Sequence, residues 1–171
     1  MMLNLIPKLM PIRPYIYNQN YDCQKILNET LHFVNTPPNY DSLFSYLNPV
    51  MNGTQWQMIF KNGYKNSSIF EDGLNNMLNS SLVAQTWGRP LDYPWCGSDY
   101  KTGNIKEIKF SDTIFWSTTQ DHSKWSVMLD NNYSCFGDMN RMDSQWTRGG
   151  AFYCLKSDLL SQALKAVIKT T

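Results

Sequence analysis

The chain has 171 residues, of which 42% are hydrophobic and 14% aromatic, a composition that predicts one packed domain and excludes a wholly disordered chain. Its 15 Lys and Arg residues are balanced by 14 Asp and Glu residues, so an overall basic field is excluded and any contact with nucleic acid requires a local patch. No run approaches the roughly 18 apolar residues of a membrane-spanning helix, so no such helix is predicted.

Helices and strands alternate in the predicted elements of the first half. Apolar residues at helical spacing predict a short helix over 22–34, and alternation predicts a strand over 54–60. Serine caps followed by spaced apolar residues predict a helix over 67–79, despite Gly73. A strand over 81–87 is predicted to follow it.

The second half continues this mixed pattern. Two further strands are predicted, over 107–112 and 113–119, and an alternating segment predicts another over 122–129. The clearest helix covers 157–170, with Ser157 as its cap and an apolar stripe formed by Leu160, Ala163, Leu164, Val167 and Ile168. These elements predict a single mixed α/β or α+β domain over residues 1–171.

The strand predicted over 122–129 brings His122 and Lys124 together. Its alternation directs Trp125, Val127 and Leu129 to the core and His122, Lys124 and Ser126 to the opposite face. Because Lys⁺ disfavours imidazolium, this pair is an unusual structural choice. It suits a phosphate, for which Lys supplies a point charge and His a nucleophile or proton donor. The alternative interpretation is a solvated face of an edge strand.

Further donors follow the His-x-Lys pair. In "CFGDMNR", residues 135–141, Gly137 permits a close backbone approach, and Asn140 can donate a neutral hydrogen bond to a phosphoryl oxygen. Arg141 ends this segment and Arg148 precedes a glycine pair, so the region is predicted to form a local anion site. A glycine turn with solvated side chains remains the alternative.

Sequons and cysteines are typical of an exported protein. Five Asn-x-Ser/Thr sequons are candidate glycosylation sites, at Asn28, Asn52, Asn66, Asn79 and Asn132. The four cysteines, Cys23, Cys96, Cys135 and Cys154, have no zinc-site spacing and predict disulfides, with three possible connectivities. However, Pro7 and Lys8 interrupt the N-terminal apolar residues, so no signal peptide is predicted in this chain.

The segments "DHSKWSV", "SCFGDMNR" and "RGG" closely resemble the C-terminal signature of the deoxyribonuclease II family. "RPYIYNQ" and residues 66–90 extend the resemblance over nearly the whole chain. It implies a phospholipase D-like α-β-α sandwich, of which this chain would be one of two similar halves. Each half contributes one His-x-Lys to a shared site.

The resemblance also implies an activity. Members of the family are acid, metal-independent endonucleases that cut DNA through a phosphohistidine and leave 3′-phosphate ends, in secreted or lysosomal locations. By this resemblance His122 and Lys124 are the catalytic pair of the C-terminal half and Asn140 binds phosphate. Arg141 and Arg148 are candidate phosphate ligands beside it, and no metal or other cofactor is implied.

Two departures from the family pattern qualify these expectations. The chain has only one His-x-Lys, since His32 lies in "ETLHFVN" and is interpreted as a half-buried or surface residue of a helix. A homodimer or a missing N-terminal half is therefore expected to complete the site, unless the chain is a catalytically silent, secreted DNA-binding protein. Moreover, Ser126 stands where the family usually has Cys, so Cys154 would be free or would pair with Cys135.

Overall fold

One mixed β-sheet organises the protein. The structure, a computed structural model, describes residues 43–48, 50–51, 54–63, 66–88 and 90–170. The strands within these residues are β1 Phe44–Leu47, β2 Val50–Met51, β3 Thr54–Lys61, β4 Leu82–Gln85, β5 Trp95–Cys96, β6 Lys101–Lys109, β7 Phe115–Ser117, β8 Trp125–Met128, β9 Tyr133–Gly137, β10 Gly150–Lys156 and β11 Ile168–Thr170.

The strand order across the sheet is β1-β3-β10-β9-β8-β4-β6-β11. Among the described strands, β4 and β6 pair in parallel, and the other pairs are antiparallel. Strand β2 pairs with β3, while β5 and β7 pair with β6. Strands β9, β8 and β4 lie side by side near the middle of this order, which brings their ends together.

Helical elements cover both faces of the sheet. A π-helical segment, Ile69–Leu74, continues as α1, Asn75–Leu78, and α2 covers Asp158–Val167. In β4, Leu82 and Ala84 pack in the core cluster that contains the first helical element, whereas Val83 belongs to the cluster that α2 covers. The predicted mixed α/β class is therefore confirmed. No helix of the described residues is long and apolar enough to cross a membrane.

The helix predicted over 67–79 is confirmed, with a π-helical first part. Ser68 begins it by accepting a hydrogen bond from the Phe70 N–H, and Asn79 ends it in the left-handed conformation with φ of 49°. Gly73 packs closely against the sheet, because an added Cβ would lie 2.6 Å from Cδ1 of Ile59 and would force that side chain to shift. The glycine that weakens the helical pattern thus allows this helix to approach the sheet.

Helix α2 is shorter than the predicted helix over 157–170. Ser157 caps it as predicted, accepting from the Leu160 N–H at 3.3 Å. After Val167 the chain becomes extended, and Ile168–Thr170 pairs with β6 as an edge strand. Ala163 is exposed, contrary to its predicted place in the apolar stripe. Helical periodicity could not reveal this ending, because the apolar residues also suit a strand.

The other predicted elements are confirmed with shifted ends. Strand β3 matches the prediction over 54–60, and β4 is a shortened form of the strand predicted over 81–87. The strands predicted over 107–112 and 113–119 correspond to the end of β6 and to β7. The helix predicted over 22–34 lies outside the described residues.

A disulfide between Cys135 and Cys154 joins β9 to β10. The two cysteines are directly opposite in the antiparallel register. Ser126 of β8 is opposite Cys135 on its other side and is fully buried. The predicted alternative in which Cys154 pairs with Cys135 is thus confirmed. Cys96 is exposed and pairs with no described cysteine.

Candidate active site

The predicted site residues gather where three neighbouring strands meet one edge of the sheet. Strand β8 runs antiparallel to both β4 and β9, so its beginning lies beside their ends. The segments beyond these ends contain Trp87 after β4, His122 and Lys124 before β8, and Asn140 after β9. The topology therefore brings residues from distant parts of the sequence to one edge.

His122 and Lys124 lie in a loop before β8, which corrects their predicted position in a strand over 122–129. Asp121 Oδ1 accepts from the Ser123 N–H at 2.8 Å, a local turn that keeps this segment out of the ladder. The burial of the residues that follow therefore departs from the predicted alternation of buried and exposed faces. Trp125 and Val127 are buried as predicted, but Ser126 is also buried and Leu129 is 48% exposed.

The loop is anchored from the neighbouring strand β4. Gln85 Nε2 donates to the backbone oxygen of Asp121 at 3.2 Å and to that of Thr118 at 3.5 Å. Trp116 Nε1 donates to Asp121 Oδ2 at 3.5 Å. Because Gln85 is fully buried, these bonds hold the backbone before His122 in a fixed position.

The imidazole of His122 stacks on the indole of Trp87. The ring centroids are 4.7 Å apart and the planes differ by 21°. His122 itself is exposed, so one face of its ring is supported while its edge is accessible to solvent. This arrangement suits a histidine that exchanges a proton or attacks a substrate.

Lys124 connects the histidine loop to the end of β9. Its Nζ donates to the His122 backbone oxygen at 2.5 Å, and its own backbone oxygen accepts from the Gly137 N–H at 3.0 Å. Asp138 follows Gly137, and burial of its carboxyl group among protein atoms raises its pKa. Hydrogen bonding from the Ala151 N–H and the positive charge of Lys124 oppose this shift. The site thus combines a cation with a carboxyl group.

Asn140 has an unused polar atom at this edge. Its Oδ1 is buried and has no hydrogen-bond partner within the part of the chain that the structure describes. The backbone next to it is fixed, because the Arg141 N–H donates to Thr86 Oγ1 at 3.1 Å. Thr86 directly precedes Trp87, which stacks on His122. Asn140 is therefore anchored to the same strand end as the imidazole.

Arg141, a candidate phosphate ligand, lies inside the protein. Its side chain is 1% exposed, and it forms an ion pair with Glu71 at 2.6 Å. Its guanidinium also donates to the backbone oxygens of Asp92 and Tyr93 and to Asn104 Oδ1. These partners occupy the donors that a phosphate would need. Phosphate binding by Arg141 stays a prediction, and the geometry favours a structural role.

Arg148 is exposed and precedes the first residue of β10, at the edge where β9 ends. Its backbone is fixed by the buried Lys61, whose Nζ donates to the backbone oxygens of Arg148 at 2.9 Å and Trp146 at 2.6 Å. Burial lowers the pKa of Lys61 to about 8, against the opposing charge of Asp72. Lys61 therefore holds the turn that carries Arg148.

Two cavities differ in their chemistry. The larger, of about 580 Å³, lies over the Arg141–Glu71 pair and is lined by three further carboxylates, Asp72, Asp92 and Asp143. A smaller cavity of about 330 Å³ lies beside the loop that carries His122 and Lys124 and is lined by Phe136, Gly137, Asp138, Ala151 and Tyr153. The acidic lining makes the larger cavity unsuitable for a phosphate.

The candidate glycosylation sites differ in their surroundings. Asn66 and Asn79 are exposed. Nδ2 of Asn132, the atom to which a glycan would be attached, donates to Asp158 Oδ1 at 2.8 Å. Asn28 and Asn52 lie outside the described residues. Within the residues that the structure covers, no three His, Cys, Asp or Glu side chains form a group that could hold a metal ion.

Sequence reasoning missed several residues that shape the site. Trp87 and Gln85 contact the segment around His122 from β4 and its end, which no local pattern reveals, whereas Asp121 acts locally by accepting from the Ser123 N–H. Asp138 lies in the "GDMN" segment between the predicted Gly137 and Asn140, so its position in the sequence is a signal that could have identified it. The adjacency of these residues depends on the order β9-β8-β4, which follows from tertiary pairing.

These features define a mixed α/β domain with a histidine–lysine loop at the ends of antiparallel strands. The model of the deoxyribonuclease II family, described as "Deoxyribonuclease II", matches residues 3–171. The chain therefore belongs to the deoxyribonuclease II family.

Similar proteins from animals and bacteria support this family membership. Deoxyribonuclease-2-beta of Mus musculus is 36% identical over 108 residues, which are 60% of this chain and 30% of the mouse protein. Putative deoxyribonuclease-2 of Burkholderia thailandensis is 33% identical over 117 residues, 66% of this chain and 33% of that protein. Deoxyribonuclease-2 of Caenorhabditis elegans is 32% identical over 105 residues, 60% of this chain and 28% of the relative. The matched part spans about a third of each relative's length.

Proposed function

We propose that this chain supplies a histidine–lysine half-site for the hydrolysis of DNA phosphodiesters in a secreted or lysosomal setting. The observation that carries the proposal is the convergence of His122, Lys124 and Asn140 on one sheet edge in a member of the deoxyribonuclease II family. The proposal includes a phospholipase D-like arrangement, in which two such half-sites face each other.

The proposed chemistry needs two histidines. One imidazole nitrogen attacks phosphorus, the bond from phosphorus to the 5′ oxygen breaks, and the second histidine protonates that leaving oxygen. Water then attacks the phosphohistidine, which releases a 3′-phosphate end and restores the first histidine. Because one histidine must be neutral and the other protonated, activity is expected around or below the usual histidine pKa of about 6.5.

The surrounding residues have roles in this scheme. Stacking on Trp87 limits rotation of the His122 ring and keeps its edge towards solvent, where a phosphate can approach. Lys124 supplies a positive charge for the phosphoryl oxygens, in competition with Asp138. The amide of Asn140 supplies a neutral donor on the same edge. No step uses Arg141, because its donors bind Glu71 and backbone oxygens.

The second histidine must come from outside this His-x-Lys pair, since the sequence contains only His32 and His122. A second copy of the chain would supply an equivalent His122 and Lys124 across a two-fold axis. A further segment carrying its own His-x-Lys would serve equally. The dimer predicts a mass near twice 19.9 kDa, which sedimentation or light scattering measures.

Plasmid nicking tests the proposal. We expect the protein to nick supercoiled DNA at about pH 5 in the presence of a chelator, leaving 3′-phosphate ends. His122→Ala should reduce the rate by about 100-fold or more, since removing a proton-transfer or nucleophilic group has effects of this order. Ser123→Ala is the matched control, because this neighbouring side chain is exposed. An unchanged rate in His122→Ala would contradict the proposal.

A catalytically silent DNA-binding protein is the second candidate function. The single His-x-Lys favours it, because half of a two-histidine site lacks either nucleophile or acid. This candidate predicts retention of DNA without cleavage and an affinity that falls steeply with salt. A monomeric mass with salt-dependent binding and no nicking would support it over the enzyme.

A further inference from the structure

We propose that the 330 Å³ cavity beside Lys124 binds one nucleobase of a DNA strand whose phosphate lies at the His122–Lys124 loop. This inference rests on the proposed function and extends it from the phosphate to the base. The cavity and the loop are directly connected, because Gly137, which lines the cavity, donates its N–H to the Lys124 backbone oxygen.

Two aromatic side chains form the walls of this cavity. Phe136 of β9 and Tyr153 of β10 are directly opposite in the antiparallel register, so their side chains lie on the same face of the sheet. Phe136 is 38% exposed, an unusual state for a strand phenylalanine in the middle of a sheet. A base stacked between or on these rings would cover apolar surface that is otherwise in water.

Protein contacts fix the ring of Tyr153 before any ligand arrives. Tyr153 packs edge to face on the buried Phe60, with ring centroids 6.3 Å apart and planes at 89°. The disulfide at Cys154 lies next to Tyr153, and its partner Cys135 lies next to Phe136. A ring fixed in this way loses little conformational entropy on binding, which favours stacking of a flat, rigid ligand on it.

The polar groups at the cavity favour a nucleobase over a purely apolar ligand. Asp138 lines the cavity and offers carboxylate oxygens, which accept hydrogen bonds from the amino groups of cytosine, adenine or guanine. The carboxylate repels a phosphate, whereas the nearby Lys124 attracts one. When a base lies in the cavity and its phosphate lies at Lys124, the base can donate hydrogen bonds to the Asp138 carboxylate and the phosphate can pair with the Lys124 ammonium. A free anion could pair only with Lys124.

Binding of single-stranded oligonucleotides to the whole chain tests this subsite directly. The probes are a fluorescent cytosine oligonucleotide and an abasic oligonucleotide of equal length, which retains the phosphates but lacks the bases. Fluorescence anisotropy at fixed salt should give about 5- to 100-fold tighter binding of the cytosine probe, the range that stacking of one base supports. Equal affinities for the two probes would overturn the inference.

Substitutions in the cavity test whether the preference for the cytosine probe arises there. Phe136→Leu keeps an apolar side chain and the fold but removes the ring, so it should lose most of the preference for the cytosine probe. Asp138→Asn should shift preference towards thymine, because an amide can donate to thymine O4. Tyr93→Ala is the control, since Tyr93 is 92% exposed and lies at the other cavity. A full preference for cytosine in Phe136→Leu would refute the subsite.

Failure of the subsite and failure of the proposed function give different results. A protein that prefers the cytosine probe but never nicks DNA has the subsite without the activity. A protein that nicks DNA through His122 but binds both probes equally has the activity without the subsite. His122→Ala should therefore stop nicking while leaving the base preference intact, and loss of the preference in this variant would contradict a separate base cavity.

Discussion

Arg141 uses its guanidinium to join four parts of the chain. It pairs with Glu71 of the π-helical segment and donates to backbone oxygens at Asp92 and Tyr93 and to Asn104 of β6. Both partners of the ion pair are buried, with side-chain exposures of 1% and 8%. Such a pair is costly to break from one side, because the remaining charge is left without its partner.

Arg141→Met should therefore lower the free energy of unfolding by about 3–5 kcal/mol. Urea denaturation followed by tryptophan fluorescence measures this loss. The double variant Glu71→Gln with Arg141→Met removes the orphaned carboxylate and should recover part of the loss. A double variant that is no more stable than Arg141→Met would show that the ion pair is not the cause.

The salt dependence of DNA binding distinguishes the roles of Arg141 and Arg148, the two arginines predicted as phosphate ligands. Arg148 is exposed beside the strand ends, whereas Arg141 is buried. Arg148→Met should reduce, by about one, the slope of the logarithm of DNA affinity against the logarithm of salt concentration. It should change the free energy of unfolding by less than about 0.5 kcal/mol. Arg141→Met should leave the slope unchanged, measured below its unfolding transition. The opposite pattern would restore Arg141 as the phosphate ligand.

At the level of elements, the β9–β10 pair supports the active-site edge. Cys135 and Cys154 fix this pair to each other, and Gly137 and Asp138 extend from its end towards Lys124. The disulfide closes a loop with a sequence separation of 19 residues. A cross-link of this span stabilises mainly by restricting the unfolded chain.

Replacing both cysteines by alanine should lower the free energy of unfolding by about 3 kcal/mol. Thermal or urea unfolding measures the loss, and a reducing agent should reproduce it in the unaltered protein. Cys96→Ser is the matched control, because Cys96 is exposed and outside this disulfide. Equal stability of the protein with and without reductant would mean that the bond contributes nothing.

The sequence predicted element types better than their ends and their contacts. Periodicity identified β3, the helix from Ile69 and helix α2, because apolar residues recur in each of them at the spacing of that element. It failed at residues 122–124, where alternation suggested a strand but the Asp121 side chain forms a turn instead. It also failed at Ile168, where apolar residues that fit a helix pair with β6.

In the candidate site, too, residue types could be predicted from the sequence better than the contacts between them. The residue types of His122, Lys124 and Asn140 could be recognised from their short motifs, whereas Trp87 and the aromatic cavity could not. Trp87 is 35 residues from His122, and Phe136 meets Tyr153 only through the register of two strands. Contacts of this kind depend on strand order, which hydrophobic patterns do not specify.

At the scale of the whole molecule, the carboxyl group of Asp92 couples the stability of the fold to pH in the acid range. Burial raises the pKa of Asp92, and a hydrogen bond with Asp143 raises it further, while a bond from Trp146 and the charge of Arg141 oppose the shift. The folded state therefore binds this proton more tightly than the unfolded state. Between the unfolded pKa of 3.8 and the higher folded pKa, stability falls as pH rises.

Asp92→Asn tests this dependence, because the amide keeps an oxygen that can accept from Trp146 Nε1, bonded at 3.0 Å in the present structure, and carries no charge. The stabilising contribution of the protonated Asp92 is fully present below pH 3.8 and is lost as pH passes the folded pKa. We therefore expect the variant to gain stability relative to the unaltered protein as pH rises through this window. Urea denaturation of both proteins, in steps from about pH 3.5 to about pH 7, measures this difference in the free energy of unfolding. Because the two proteins share all other ionisable groups, the titration of those groups cancels in the difference. A difference that stays constant across this range would contradict the role of Asp92, whereas a difference that grows with pH would show that the Asp92 carboxyl group, in the cavity above Arg141, is protonated more readily in the folded state.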